Sequence, residues 1–239
     1  MGKLDDKVAL ITGANRGIGR GIAEGFALEG AALILMARDI TLLRQTAELL
    51  TQKGADVLAI PADVSDEKQV QDVFRQGLER FGHLDILVNN AGIFDGGGPL
   101  DQISIETWDK VMAVNLRGPL LCTREAFRIM KNQRSGRIIN IGSISAQRVR
   151  PNSAAYSASK HGLWGLTQVT ALEGREYGIS CGCLHPGNVL VEKRIGTPEP
   201  MMNVEDIVPA AVAMASLPPN VNMLEAIVLP VEQLYIGRG

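Results

Sequence analysis

Cysteine is scarce in this 239-residue chain, which has only Cys122, Cys181 and Cys183. An odd number, with no His or Cys cluster at zinc-ligand spacing around it, excludes a disulfide framework and a structural metal centre. The three are read as reduced core residues, since free cysteine packs as a small apolar group. Charge of one sign is lacking too: 24 Lys and Arg against 26 Asp and Glu give a formal net charge of -2. That leaves no electrostatic reason to expect nucleic acid or an anionic membrane as partner. Long apolar runs are absent. The N-terminus enters a run of only a few apolar residues, neither a secretory core nor a spanning helix, so a cytoplasmic protein is expected. No Pro/Gly/Ser linker, internal repeat or low-complexity tract divides the chain, so residues 1–239 are expected to form one domain.

What is present is an alternation of β-rich runs with segments of helical period. The runs are Val8 to Thr12, Leu33 to Ala37, Val57 to Ile60, Ile86 to Asn89, Arg137 to Ile141, Ile179 to Leu184 and Ala226 to Leu229. Their unbroken apolar character suits strands covered on both faces. The pattern predicts an α/β fold, a doubly wound, Rossmann-like parallel sheet of about seven strands flanked by helices. Ile18, Ile22, Ala23, Phe26 and Ala27 fall on one helical face, with Gly30 as a stop. Asp66 to Phe81 reads as a helix capped by Ser65, and Ala154 to Tyr177 as another. The stretch from Ser104 to Gln133 is helical in period, with Gly118-Pro119 expected to bend or break it.

The first strand runs into Thr12-Gly13-Ala14-Asn15-Arg16-Gly17-Ile18-Gly19. Three glycines let the backbone turn sharply and approach a ligand at a helix N-terminus, where free N–H groups and the dipole favour a pyrophosphate. Glycine also serves tight turns for steric reasons alone, but a place between the first strand and first helix of such a sheet favours a dinucleotide. The second strand ends in Ala37-Arg38-Asp39. Arg38 is placed to meet a 2′-phosphate, and Arg16 to reach the same group, which favours NADP(H); Asp39 keeps NAD(H) as the alternative.

Ser143 lies just past a buried strand, and Tyr156 and Lys160 are four residues apart on a helix, hence on one face. A cation close to a phenol favours its ionised form and brings it into range for proton transfer. Tyr156 is thus the candidate general acid or base, Lys160 its electrostatic partner, and Ser143 a donor to the substrate oxygen. Taken singly, each has a plainer role, as helix cap, core residue or surface charge.

Together, Thr12-Gly-X-X-X-Gly-X-Gly19, Asn89-Asn90-Ala91-Gly92 and Tyr156-X-X-X-Lys160 resemble the short-chain dehydrogenase/reductase family in order and spacing, over nearly the whole chain. Ser143 precedes Tyr156 by thirteen residues, as the active-site serine of that family does, and Asn115 resembles the asparagine of its catalytic tetrad. The resemblance implies hydride exchange between a nicotinamide cofactor and a carbonyl or alcohol. It implies that Gly13, Asn15, Arg16, Gly17, Ile18 and Gly19 cradle the cofactor, that Asp63 and Val64 meet adenine, and that Asn89, Ala91 and Gly92 flank the adenosine side. Lys160 would also bind the nicotinamide ribose, Asn115 would hold a water that relays its protons, and Pro186-Gly187 would form the turn beside the nicotinamide. Two departures stand out. Asn188-Val189-Leu190-Val191 replaces a segment that usually carries threonine, and Ala226 to Val231 replaces the ending that many relatives use in tetramers. A homodimer or homotetramer is expected, with pairing through two long helices.

Substrate selection is expected in the loops at Phe94 to Pro99, Ala146 to Ser153 and Gly187 to Asn203, the last as a short partial lid over a small substrate. Phe94, Arg150, Ser153 and Asn188 are the candidate contacts. Arg148 and Arg150 are placed for a substrate carboxylate, against the plainer reading of solvated loop charges. His185 is expected to pack beside the turn rather than ionise in catalysis. A cofactor-binding sensor or scaffold on the same fold is the alternative function, and the intact Asn115, Ser143, Tyr156 and Lys160 set argues against it. An epimerase or lyase is disfavoured by the lack of an appended substrate domain.

Overall fold

The computed structural model describes residues 2–94, 97–191 and 199–235. Among the described residues seven strands form: β1 (Val8–Thr12), β2 (Ala32–Ala37), β3 (Val57–Pro61), β4 (Ile86–Asn89), β5 (Gly136–Ile141), β6 (Ile179–Pro186) and β7 (Glu225–Val228). All pair in parallel in one sheet, ordered β3-β2-β1-β4-β5-β6-β7. The order reverses between β1 and β4, and ligands of open α/β sheets bind at such a switch point, beyond the carboxyl ends of the strands.

Side chains alternate across the pleat, so each strand feeds two cores. Ala9, Ile11, Leu33, Leu35, Val88 and Ile139 face α1 (Gly17–Leu28), α2 (Ile40–Gln52) and α7 (Val204–Ser216). Leu10, Ile34, Leu87, Ile138 and Cys181 face the other way, onto α3 (Glu67–Phe81) and α5 (Gly118–Gln133). The helix α6 (Ala154–Gly174) packs along β6. Cys122, Cys181 and Cys183 are unpaired and buried, and burial pushes the Cys122 and Cys183 thiols up to about 12, which suits inert core groups.

Three local expectations change. The cap of α3 is Asp66, not Ser65: its Oδ1 accepts the N–H groups of Lys68 at 2.9 Å and Gln69 at 3.1 Å, while Ser65 turns its hydroxyl to Asp63. Gly118-Pro119 does not break the long helical stretch. A helix α4 (Ile105–Met112), capped by Ser104, runs through a π-helical turn at Ala113–Arg117 directly into α5. Pro119, in the first turn of α5, lacks the N–H that a continuous helix would use there, and the π turn just before it accommodates that gap. Finally, β7 starts at Glu225 and ends at Val228, one residue earlier at each end than the apolar run suggests.

Candidate active site

The glycine loop closes onto the end of β4. Thr12 Oγ1 accepts the N–H groups of Asn90 and Ala91, each at 3.0 Å, and the Asn90 side chain donates to the carbonyls of Thr12 at 2.8 Å and Gly13 at 3.2 Å. Gly13 has φ +65°, and a Cβ on Gly19 would come within 2.2 Å of Asn90 Nδ2 and 2.3 Å of the Gly13 carbonyl oxygen. A side chain is therefore excluded at Gly13 and at Gly19, and the backbone of the loop leads straight into the N-terminus of α1. That bare cradle at a helix N-terminus fits a dinucleotide pyrophosphate.

At the end of β2, Asp39 is committed elsewhere: its carboxylate caps α2 by accepting the Leu42 N–H at 3.0 Å. Arg38 remains exposed and faces Asp63 at 3.6 Å. Asp63 also accepts the N–H and hydroxyl of Ser65, which hold it in a tight turn at the edge of the cleft.

The π turn places Asn115 fully out of solvent. Its Oδ1 accepts the Ile93 N–H at 2.8 Å, and its Nδ2 donates to the Ile93 carbonyl at 2.8 Å and to Ser159 Oγ at 3.2 Å. This ties the loop after β4 to α6, one residue before Lys160. Lys160 is buried, and its Nζ donates to the Ile141 carbonyl at 2.8 Å. The same Nζ lies 5.7 Å from the centre of the Tyr156 ring, as the four-residue spacing requires. Ser143, two residues past Ile141, is nearly buried and caps a short 3₁₀ turn, Ile144–Ala146, against which α6 packs. Lys160 thus meets the carboxyl end of β5 two residues before Ser143 and beside the Tyr156 ring, and Asn115 bonds its neighbour Ser159. The arrangement can deliver a proton to an oxygen held beside Tyr156 and Ser143.

A sequence profile described as short chain dehydrogenase matches residues 7–199. The chain belongs to the short-chain dehydrogenase family. It is 42% identical over 183 residues to an uncharacterised oxidoreductase of Bacillus subtilis strain 168, covering 77% of this chain and 71% of that one. It is 39% identical over 189 residues to levodione reductase of Leifsonia aquatica, covering 78% and 71%. The X-ray structure of an alcohol dehydrogenase from Thermococcus sibiricus, complexed with 5-hydroxy-NADP, superposes with a TM-score of 0.88 at 30% identity, covering 95% of this chain and 97% of that one. This short-chain dehydrogenase is accordingly an NAD(P)-dependent oxidoreductase that interconverts a carbonyl and its alcohol. Among the described residues, no helix is long and apolar enough to cross a membrane.

Not every candidate residue of this dehydrogenase lies where its motif suggests. The Asn89 side chain is buried and donates to Thr123 and Asn140, so it braces the sheet; its neighbour Asn90 braces the glycine loop instead. Ser153 is buried at the start of α6, with its hydroxyl bonded to the Arg150 carbonyl and to Ser157. Arg150 is paired with Glu199 at 2.9 Å, and Asn188 Nδ2 donates to the same carboxylate at 2.9 Å. Phe94 is exposed and packs edge-on against Tyr156 with ring centres 5.1 Å apart. Residues 95–96 and 192–198, which fall within the expected substrate loops, lie outside the described residues. Asn90 had a signal, the repeated asparagine at a strand end; Gln233, which bonds the turn after β6, had none.

Proposed function

We propose that this enzyme prefers NADP(H) over NAD(H) and reduces a small carbonyl compound, or oxidises the alcohol, with Tyr156 as general acid/base. The observation that carries the catalytic reading is the placement of Lys160 Nζ, anchored on Ile141 two residues before Ser143 and beside the Tyr156 ring. The Tyr156 hydroxyl gives its proton to the substrate oxygen during reduction, and Ser143 Oγ–H donates to the same oxygen. Lys160 stabilises the phenolate left on Tyr156. Asn115 has both side-chain groups engaged by Ile93 and Ser159, so a relay water beside Lys160 would meet the main chain of the π turn rather than this amide.

A bound nicotinamide dinucleotide supplies or accepts the hydride. Gly13, Asn15, Arg16, Gly17, Ile18 and Gly19 would hold its pyrophosphate, Asp63 and Val64 its adenine, Ala91 and Gly92 the adenosine side, and Lys160, Pro186 and Gly187 the nicotinamide end. The preference for NADP(H) rests on Asp39 being used as a helix cap, which leaves exposed Arg38, with Arg16, to meet a 2′-phosphate. The Arg150 charge is already answered by Glu199, and Phe94 lays an apolar ring against Tyr156, so the substrate is read as small and without a carboxylate. Self-association through α5 and α6 is supported by exposed Leu120, Val169 and Leu172 on those helices.

Oxidation of NADPH and NADH is to be followed across a panel of small aldehydes and ketones, with Tyr156→Phe alongside. The expected result is turnover that favours NADPH and falls by about 100-fold or more in the variant. Preference for NADH would remove the arginine assignment, and a variant as active as the wild type would remove the role of Tyr156.

A further inference from the structure

The turn after β6 is held from the far end of the chain. Gln233 Oε1 accepts the Asn188 N–H at 2.8 Å, and the preceding N–H, of Gly187, goes to the Val228 carbonyl on β7 at 2.8 Å. A Cβ on Gly187 would come within 2.2 Å of Gln233 Oε1, so the amide lies directly against the turn. Gln233 is itself fixed at several points. Its N–H donates to the Pro230 carbonyl at 3.0 Å, its carbonyl accepts the Tyr235 N–H at 2.8 Å, and the Tyr235 hydroxyl donates to Gln147, in the segment that follows Ser143.

Gln233 is also buried, and its Nε2 is closed off from solvent with no hydrogen-bond partner among the described residues. A leucine or methionine would fill the same space without that cost. The buried amide is therefore explained by its oxygen, the one end that has a partner. Because Nε2 is sealed from solvent, the side chain does not reach into the open cleft, and any effect on a ligand passes through the turn.

Resting on the reading that Pro186-Gly187 borders the nicotinamide, we propose that Gln233 is a positioning residue that sets this turn for the nicotinamide end of the cofactor. The hydrogen bond from the Asn188 N–H to the Gln233 side chain fixes the backbone just past Gly187. Without it the turn loses the side-chain anchor just past Gly187 and shifts. The adenosine end, at the glycine loop and Arg38, does not depend on this bond.

The test is calorimetric titration of wild type, Gln233→Leu and Gln233→Glu with NADPH and with adenosine 2′,5′-bisphosphate, which lacks the nicotinamide half. The Gln233→Leu variant is expected to bind NADPH about tenfold more weakly, while its affinity for the bisphosphate stays within about twofold. Gln233→Glu keeps an acceptor oxygen at the same reach and should recover most of the NADPH affinity. Equal losses for both ligands, no loss for either, or a Gln233→Glu variant as weak as Gln233→Leu would overturn the proposal. Wild type that binds neither ligand overturns the cofactor reading along with it. Turnover that survives Tyr156→Phe, with the binding pattern as expected, overturns the catalytic reading alone.

Discussion

His185 Nδ1 lies 2.9 Å from the carbonyl oxygen of Ser143 and 3.3 Å from its amide nitrogen, so an imidazole on β6 backs the residue at the end of β5. The ring is fully buried, edge-on to Trp164, with Nε2 facing Glu225 at 3.5 Å.

Burial holds His185 below its ordinary 6.5; the Ser143 carbonyl and Glu225 pull the other way, and Lys160 adds to the lowering. Because the folded state favours the neutral ring, the unfolded chain takes up the proton first on acidification. Stability contributed by His185 is thus complete above about pH 6.5 and is lost as the pH falls below it. Urea unfolding at pH 7.5 and 5.5 should show a larger acid loss for wild type than for His185→Asn. Equal losses would mean that the ring is not held neutral.

Lys160→Met should lower kcat by about 100- to 10,000-fold, the range ascribed to a positioned acid-base group. It also leaves the Ile141 carbonyl without its partner, at about 1–3 kcal/mol. Single-turnover kinetics, read beside a melting curve, separates the two effects. A stable variant with unchanged kcat would show that the ammonium has no part in proton transfer.

Arg38→Ala removes the exposed guanidinium at the end of β2. The expected outcome is a fall of about 10- to 100-fold in kcat/KM for NADPH, the size of a lost charge-assisted contact, with little change for NADH. Steady-state kinetics with both cofactors checks it. Parallel loss with NADPH and NADH would point to a structural effect at the Arg38 and Asp63 pair.

Gly19→Ala places a methyl group 2.2 Å from Asn90 Nδ2 and 2.3 Å from the Gly13 carbonyl oxygen. Backbone and a pinned amide cannot both yield, so a destabilisation of about 1–3 kcal/mol is expected, together with loss of measurable NADPH binding. Melting and titration together test this. Normal cofactor affinity would show that the loop relaxes without losing its cradle.

Much of the candidate site was legible because its signals are local. The glycines of the loop are required by one tight strand-to-helix turn, and Tyr156 and Lys160 share a face because they are one turn apart on a single helix. The strand and helix alternation likewise follows from apolar period within each segment. Of the bend or break expected at Gly118-Pro119, the break did not form, because a π turn carries the helix through the irregularity.

By itself, then, the sequence determined the order of elements, the parallel sheet and the family, and it singled out the candidate cofactor loop and tetrad. Tertiary structure decided which of two adjacent asparagines braces that loop, that Asp39 caps α2, and that Arg150 meets Glu199. It also decided that Gln233 reaches back 45 positions to Asn188. Spacing along one element sets which residues share a face. The partner of a side chain at a strand end depends on what distant segments bring beside it.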